Sequence, residues 1–331
     1  MAGKEISPSS GLTLSSILAP VMEKFLQEKH ACGYQYHEPA RILRRLDDLL
    51  FQEALTTCEL PRSIAQKWLA KRNHESSRTQ QQRIMVVRQF SRFLCRLGYS
   101  AYVPDSTLAR RDPSSFAPRM LTHEEIRKFL QAVDALGPTA RSPLRHLVMP
   151  EVFRLLYGCG FRLGEVLNLR VRDADLDRCI VTVRQGKFRK DRFVPLALSL
   201  VNRLRKYTAR FENRPPDAIF FPAPDGGPFS LRTVYGLFRE LLLRCGIPHA
   251  GRGKGPRVHD FRHVFAVHTL LRWYRDGAAL DAKLPLLATY LGHQNLSGTQ
   301  RYLHLTAELF PEITARVDAV FGEIIPGRIE P

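Results

Sequence analysis

The sequence predicts a mainly α, two-domain chain whose second domain carries a small antiparallel β-hairpin. Three observations predict it. Apolar residues recur at helical spacing up to about residue 98. Residues 98–120, with three prolines plus Gly and Ser, then lack any sustained period. Beyond them, helical segments are interrupted by two β-branched runs that flank a polar turn. At 331 residues, 44% hydrophobic and 25% charged, the chain is long enough to bury two cores of ordinary size.

The elements follow in order. Ile17, Val21, Phe25 and Leu26 share one helical face, as do Ile42, Leu43, Leu46, Leu49 and Leu50. Ile64, Trp68 and Leu69 form a third face, and Ile84, Val87, Phe90 and Leu94 a fourth. These make a helical N-terminal domain over residues 1–98, followed by a linker over 99–120. A second domain, 121–331, begins at Thr122, which stands three residues before Glu125 in the spacing of a reciprocal helix cap. Helices are expected at about 122–135, 145–157, 164–169, 197–211, 230–245, 260–274 and 283–291. The runs CIVTV (179–183) and RFVPL (192–196) are the expected strands.

Fifty Lys and Arg against 32 Asp and Glu leave a net charge of +18, a field that attracts polyanions. Nucleic acid is the leading partner on that ground and an anionic membrane the second. Against the membrane, no apolar run approaches the roughly 18 residues a spanning helix needs, and the first residues lack the apolar centre of a secretory signal. A cytoplasmic, nucleoid-associated protein is therefore expected. The six cysteines show no CxxC or CxxH pairing, so no metal module is expected. Cations crowd the polar faces of the N-terminal helices. Lys67, Lys71, Arg72, Arg78, Arg83 and Arg88 have few neighbouring carboxylates, which favours contact with a DNA backbone over a merely solvated face. Arg110 and Arg111 add a cationic pair in the linker.

Three later stretches concentrate reactive side chains beside turn signals. In GCGFRLGEVLNL, Arg162 follows a glycine-rich turn and opens a helix, whose positive end suits an anion better than a cation. Pairing with Glu165 or Asp173 is the equal alternative. In HDFRH, His259 and Arg262 lie three residues apart, close enough to converge on one phosphate, although a capped helix with a structural histidine fits that short motif better on its own. Lys187 sits in the turn RQGKFRKD, where a lysine can act as phosphate contact or proton donor. Arg189, Lys190 and Arg192 compete for that place. In LGHQNLSGTQRYLH, His293 precedes Tyr302 by nine residues, with Tyr290 as a rival phenol better suited to core packing.

Taken in this order over about 140 residues, these stretches resemble the signature boxes of the tyrosine recombinases, the phage-type integrase superfamily. The resemblance implies a helical core-binding domain followed by a mixed catalytic domain. It implies that Arg162 and Arg262 grip a scissile phosphate and that Tyr302 attacks it to form a 3′-phosphotyrosyl link. Lys187 would protonate the leaving 5′-oxygen, His259 would assist proton transfer, and His293 would buttress the phosphate. No metal or other cofactor is implied. The implied partners are double-stranded DNA carrying recombination sites, further copies of the chain in a tetrameric synapse, and accessory or sister recombinases. A mobile-element integrase or transposase is the leading expectation. A host recombinase that resolves replicon dimers and a non-catalytic DNA-binding helper are the alternatives. After Tyr302, an apolar stripe at Ile313, Val317, Val320, Phe321 and Ile324 predicts a terminal helix over 311–325, and the resemblance favours its docking on a neighbouring copy.

Overall fold

The computed structural model describes residues 14–108, 118–184, 191–211, 213–249, 251, 255–293, 295–300 and 302. The chain divides into two compact units, Met1–Phe116 and Ala117–Pro331.

The first unit packs four helices, α1 (Ala19–Ala31), α2 (His37–Gln52), α3 (Arg62–Leu69) and α4 (Ser77–Arg96). Their apolar faces meet around Phe25, whose ring sets edge-on against Phe90 and Phe93 at 5.7 and 5.2 Å. Leu43, Leu46 and Leu50 of α2 and Val87 and Leu94 of α4 are fully buried beside them. Helix α4 starts where Ser76 accepts a hydrogen bond from the Thr79 N–H at 3.1 Å, satisfying one of the donors a helix N-terminus leaves open. Residues 100–102, expected in the linker, are pinned to this unit instead. Leu60 N–H donates to Ser100 at 3.0 Å and Tyr102 N–H donates to Leu60 at 2.9 Å.

The second unit is mostly helical with one small sheet. Its elements are α5 (His123–Asp134), α6 (Arg145–Gly158), α7 (Leu163–Leu167), a 3-10 turn (Val171–Asp173), β1 (Ala174–Asp175), β2 (Ile180–Val183), β3 (Arg192–Pro195), α8 (Leu198–Thr208), α9 (Leu231–Arg244), α10 (Asp260–Arg275), α11 (Leu280–Leu291) and α12 (Ser297–Gln300). Thr122 and Glu125 close the reciprocal cap of α5, each side chain accepting the other's backbone N–H, at 3.1 and 3.0 Å. The strands run antiparallel in the order β1-β2-β3, with Val181 opposite Val194. Val181, Val183 and Val194 are buried on one face, whereas Phe193 is exposed. The hairpin matches the sequence expectation; β1 is a two-residue strand too short to show a period of its own.

Four phenylalanines centre the core of this unit. Phe129 of α5 lies 5.1 Å from Phe153 of α6, 5.6 Å from Phe238 of α9 and 5.1 Å from Phe261 of α10. Phe261 immediately precedes Arg262, so this packing fixes α10 and with it the direction of that guanidinium. A second cluster joins Ala266, Leu270 and Leu271 of α10 to Leu284, Leu287 and Leu291 of α11, and Tyr302 is part of it. Among the described residues, no helix is long and apolar enough to cross a membrane.

Candidate active site

Gly160 starts the site. Its φ of +61° is open to glycine and costly for other residues, and a Cβ there would stand 2.6 Å from Phe265 and 2.8 Å from Leu291. The turn between α6 and α7 can therefore fold tightly against α10 and α11. The Gly160 carbonyl then accepts a hydrogen bond of 2.7 Å from Arg262.

Arg262 is 1% exposed, and its other terminal nitrogen donates to the Leu291 carbonyl at the end of α11. Burial, then the neighbouring Arg162 charge, pulls its pKa down to about 10, and Tyr302 is close enough to act on it. It remains a guanidinium at neutral pH. Among the described residues, two carbonyls hold it and no carboxylate bonds it directly, so the fold directs its charge while Glu165 acts on it only from a distance.

Arg162 caps the N-terminus of α7 and pairs with Glu165 at 2.7 Å. The ion-paired reading of Arg162 is the one the geometry shows: one nitrogen engages Glu165, and the side chain is about a quarter exposed (24%). The Glu165 carboxylate also accepts the Arg162 backbone N–H at 2.9 Å and two bonds from Arg192 at 3.0 and 2.8 Å. Burial pushes this carboxyl up, but the hydrogen bond and charge of Arg192 and the hydrogen bonds from Arg162 outweigh it and hold the pKa at about 2. Asp173, the other partner considered for Arg162, is taken by Arg184 at 2.6 Å.

His293 and Tyr302 come together through Thr299. The Thr299 hydroxyl lies 2.7 Å from His293 Nδ1, and Tyr302 N–H donates to the Thr299 carbonyl at 2.9 Å. The nine-residue spacing accommodates a left-handed residue at Gly292, φ +67°, which ends α11, and the short helix α12 between His293 and Tyr302. The Tyr302 ring is buried, 6.1 Å from the His293 ring, and its hydroxyl lies 3.0 Å from His263 Nδ1. His259, exposed at the start of α10, sets its ring edge-on against His263 at 4.9 Å. The histidine that the structure places at the Tyr302 hydroxyl is therefore His263.

Tyr290 packs as expected of a core residue. Its ring stacks on Phe265 at 5.6 Å and its hydroxyl donates to the Pro195 carbonyl at 3.1 Å. Asp260 binds Arg257, through its backbone N–H at 2.9 Å and its side chain at 3.0 Å. Arg192, one of the residues competing with Lys187, is committed to Glu165 and to the Tyr290 carbonyl, which corrects that expectation. Lys187, Arg189, Lys190, Arg110, Arg111 and the expected helix 311–325 lie outside the described residues.

Among the cations of the first unit, Lys67, Lys71, Arg72 and Arg78 are exposed. Lys67 pairs with Glu53, and the Arg72 guanidinium lies 4.4 Å over the Trp68 ring. Arg88 is half-buried and donates to the Pro104 carbonyl. Arg83 corrects the sequence reading. Its side chain is 4% exposed, forked onto Glu75 at 2.7 and 2.6 Å and bonded to the Trp68 and Ala70 carbonyls, so it stitches α3 to α4 and faces no DNA.

Fold and site together define a protein that collects two guanidiniums, a cluster of imidazoles and a buried phenol at the ends of four helices. The chain belongs to the phage integrase family, the tyrosine recombinases, whose model matches residues 119–308. It is 30% identical to a candidate integrase/recombinase of Sinorhizobium fredii, y4rB, over 92% of this chain and 98% of that one. It is 32% identical to the tyrosine recombinase XerA of Thermococcus onnurineus, over 76% and 79%. Among solved structures, the Tn1549 transposon integrase in complex with transposon right end DNA shares the fold, with a TM-score of 0.61 at 17% identity over 89% of this chain and 99% of that one.

Proposed function

We propose that the chain is a site-specific DNA recombinase that cleaves and rejoins strands through a 3′-phosphotyrosyl intermediate, serving a mobile element as its integrase or transposase. The observation that carries this reading is what the start of α10 brings together: the Tyr302 hydroxyl lies 3.0 Å from His263, and the adjacent Arg262 bonds the Gly160 carbonyl at 2.7 Å, two residues before Arg162. Two planar guanidiniums suit the non-bridging oxygens of a phosphodiester, whose charge grows at the pentacoordinate transition state. The Tyr302 oxygen attacks phosphorus, and its proton passes to His263 when Nδ1 is the bare ring nitrogen. The bond from phosphorus to the 5′-oxygen breaks, and Lys187 supplies the proton that leaves with the 5′-hydroxyl. The phosphotyrosyl bond conserves the energy of the broken phosphodiester, so attack by another 5′-hydroxyl reverses the step without nucleotide hydrolysis.

The helical first unit, with exposed Lys67, Lys71, Arg72 and Arg78, grips the DNA backbone in this reading, and a tetramer pairs two sites. The names of the relatives, integrase/recombinase and tyrosine recombinase, support strand exchange. The mobile-element role has its support in the y4rB name and in the shared fold of the transposon integrase.

The test is incubation with nicked DNA drawn from the flanks of the gene, followed by denaturing electrophoresis. A covalent protein–DNA band is expected from the unaltered chain and none from Tyr302→Phe, which keeps the ring and loses the nucleophile. An equal band from the variant would overturn the assignment.

A further inference from the structure

Arg192 opens the strand that returns from the Lys187 hairpin, yet each of its three nitrogens is engaged. One terminal nitrogen meets Glu165 Oε1 at 3.0 Å, the other meets Oε2 at 2.8 Å, and Nε donates to the Tyr290 carbonyl at 3.1 Å. Its side chain is 12% exposed. Gly292 is pressed against it: a Cβ at that glycine would stand 3.1 to 3.3 Å from the Arg192 Cδ, Nη1 and Nε. One side chain thus ties β3, the carboxylate beside Arg162, and the turn that leads into His293. Three of its five N–H donors are committed in this way, and at 12% exposure the side chain serves the junction between these elements.

The charge balance gives this junction a purpose. Glu165 is a buried carboxylate that a single guanidinium would close around as a bidentate pair. Because Arg192 bonds both carboxylate oxygens, Arg162 needs to contribute only one nitrogen to it and keeps the rest of its fork for an incoming anion. We propose that Arg192 is a positioning residue for strand cleavage, occupying Glu165 so that Arg162 remains available to the scissile phosphate and holding the turn at Gly292 in place beneath His293. This inference rests on the recombinase reading above.

The test uses the full chain on nicked DNA with either an ordinary phosphate or a methylphosphonate at the scissile position. Arg192→Met removes the charge at similar volume; Arg192→Lys keeps the charge but cannot bridge Glu165 and the Tyr290 carbonyl at once. Both variants should bind a half-site as the unaltered chain does and form covalent adduct on the order of 10²-fold more slowly, the loss expected from a misplaced reacting group. On methylphosphonate, which lacks the charge that Arg162 meets, the deficit should shrink to about threefold or less, because less transition-state charge has to be stabilised. The double variant Glu165→Gln/Arg192→Met should be no slower than the slower single variant, since both act on Arg162. If the Met variant fails to fold, the Lys variant carries the comparison. Full-rate adduct from Arg192→Lys, an equal deficit on both substrates, or additive losses in the double variant would each overturn the inference. Absence of adduct from the unaltered chain would overturn the recombinase reading, and this inference with it.

Discussion

At the scale of single residues, burial separates cations that sequence treats alike. Arg83 and Arg78 lie on one helix and in one basic run, but Arg83 is enclosed with Glu75 while Arg78 is exposed. Removing one partner of a buried pair leaves the other charged and unpaired, at a cost of about 3 to 5 kcal/mol. Arg83→Ala should therefore lower the unfolding free energy of the first unit by an amount of that order, and its urea midpoint with it, whereas Arg78→Ala should leave the midpoint unchanged and weaken DNA binding. Equal midpoints for the two variants would remove the distinction. His263 is the other residue the structure singles out. It stands next to Arg262 in HDFRH, and only the packing of α10 against the Tyr302 segment brings its ring to the phenol, 3.0 Å away. His263→Leu should slow adduct formation by about 10²-fold, the usual loss for a positioned proton acceptor, with half-site binding intact. A quench-flow time course on nicked DNA measures it.

At the scale of elements, α5, α6 and α10 meet at a polar knot in an apolar setting. The His123 and His268 rings stack 3.7 Å apart, and the Tyr157 hydroxyl lies 3.1 Å from His268 Nδ1. Burial, then the neighbouring His123, lowers the His268 pKa from 6.5 to about 4. The folded state thus holds this imidazole neutral, while the unfolded chain binds a proton below about 6.5. The stabilising contribution is complete above that value and is lost as pH falls towards 4. Thermal midpoints should drop over this window, and His268→Phe should flatten the drop; an unchanged slope would mean another group titrates. The turn between α6 and α7 makes a second prediction. Gly160→Ala meets both a left-handed backbone and contacts under 3 Å with Phe265 and Leu291, so a loss of about 2 kcal/mol in unfolding free energy is expected, together with weaker anchoring of Arg262. Denaturant melts of the variant give the first value, and adduct assays the second.

At the scale of the whole molecule, the net charge of +18 and the exposed cations of the first unit predict binding governed by counterion release. Half-site affinity should fall by roughly 10³-fold or more between about 50 and 200 mM salt, read from gel shifts, if six or more phosphates are contacted. A flat salt response would exclude the backbone-gripping role. Assembly is a separate question, posed by the apolar stripe after Tyr302. Deleting residues 311–331 should leave half-site binding and abolish cooperative filling of a full site, measured by sedimentation and gel shift. Retained cooperativity would place that segment on its own domain.

What the sequence determined by itself is local. Helical periodicity, the cap from Thr122 to Glu125 and the β-branched hairpin runs are set by neighbours within a few residues, and these elements appear where the spacing puts them. Arg162, Arg262 and Tyr302 were legible as a set because their boxes resemble those of a family, although no single box specifies chemistry. Only the tertiary structure decided which side chains spend their charge on one another. Arg192 reaches Glu165 across 27 residues of chain, Arg262 reaches the Gly160 carbonyl across 102, and His263 meets Tyr302 across 39. Such pairings leave no period in the sequence, since they depend on which helix ends the core brings together. For the same reason the basic run of α4 does not reveal that Arg83 turns inward: the polar pattern of a helix marks its face, but the carboxylate and carbonyls that satisfy a buried guanidinium come from elsewhere in the fold.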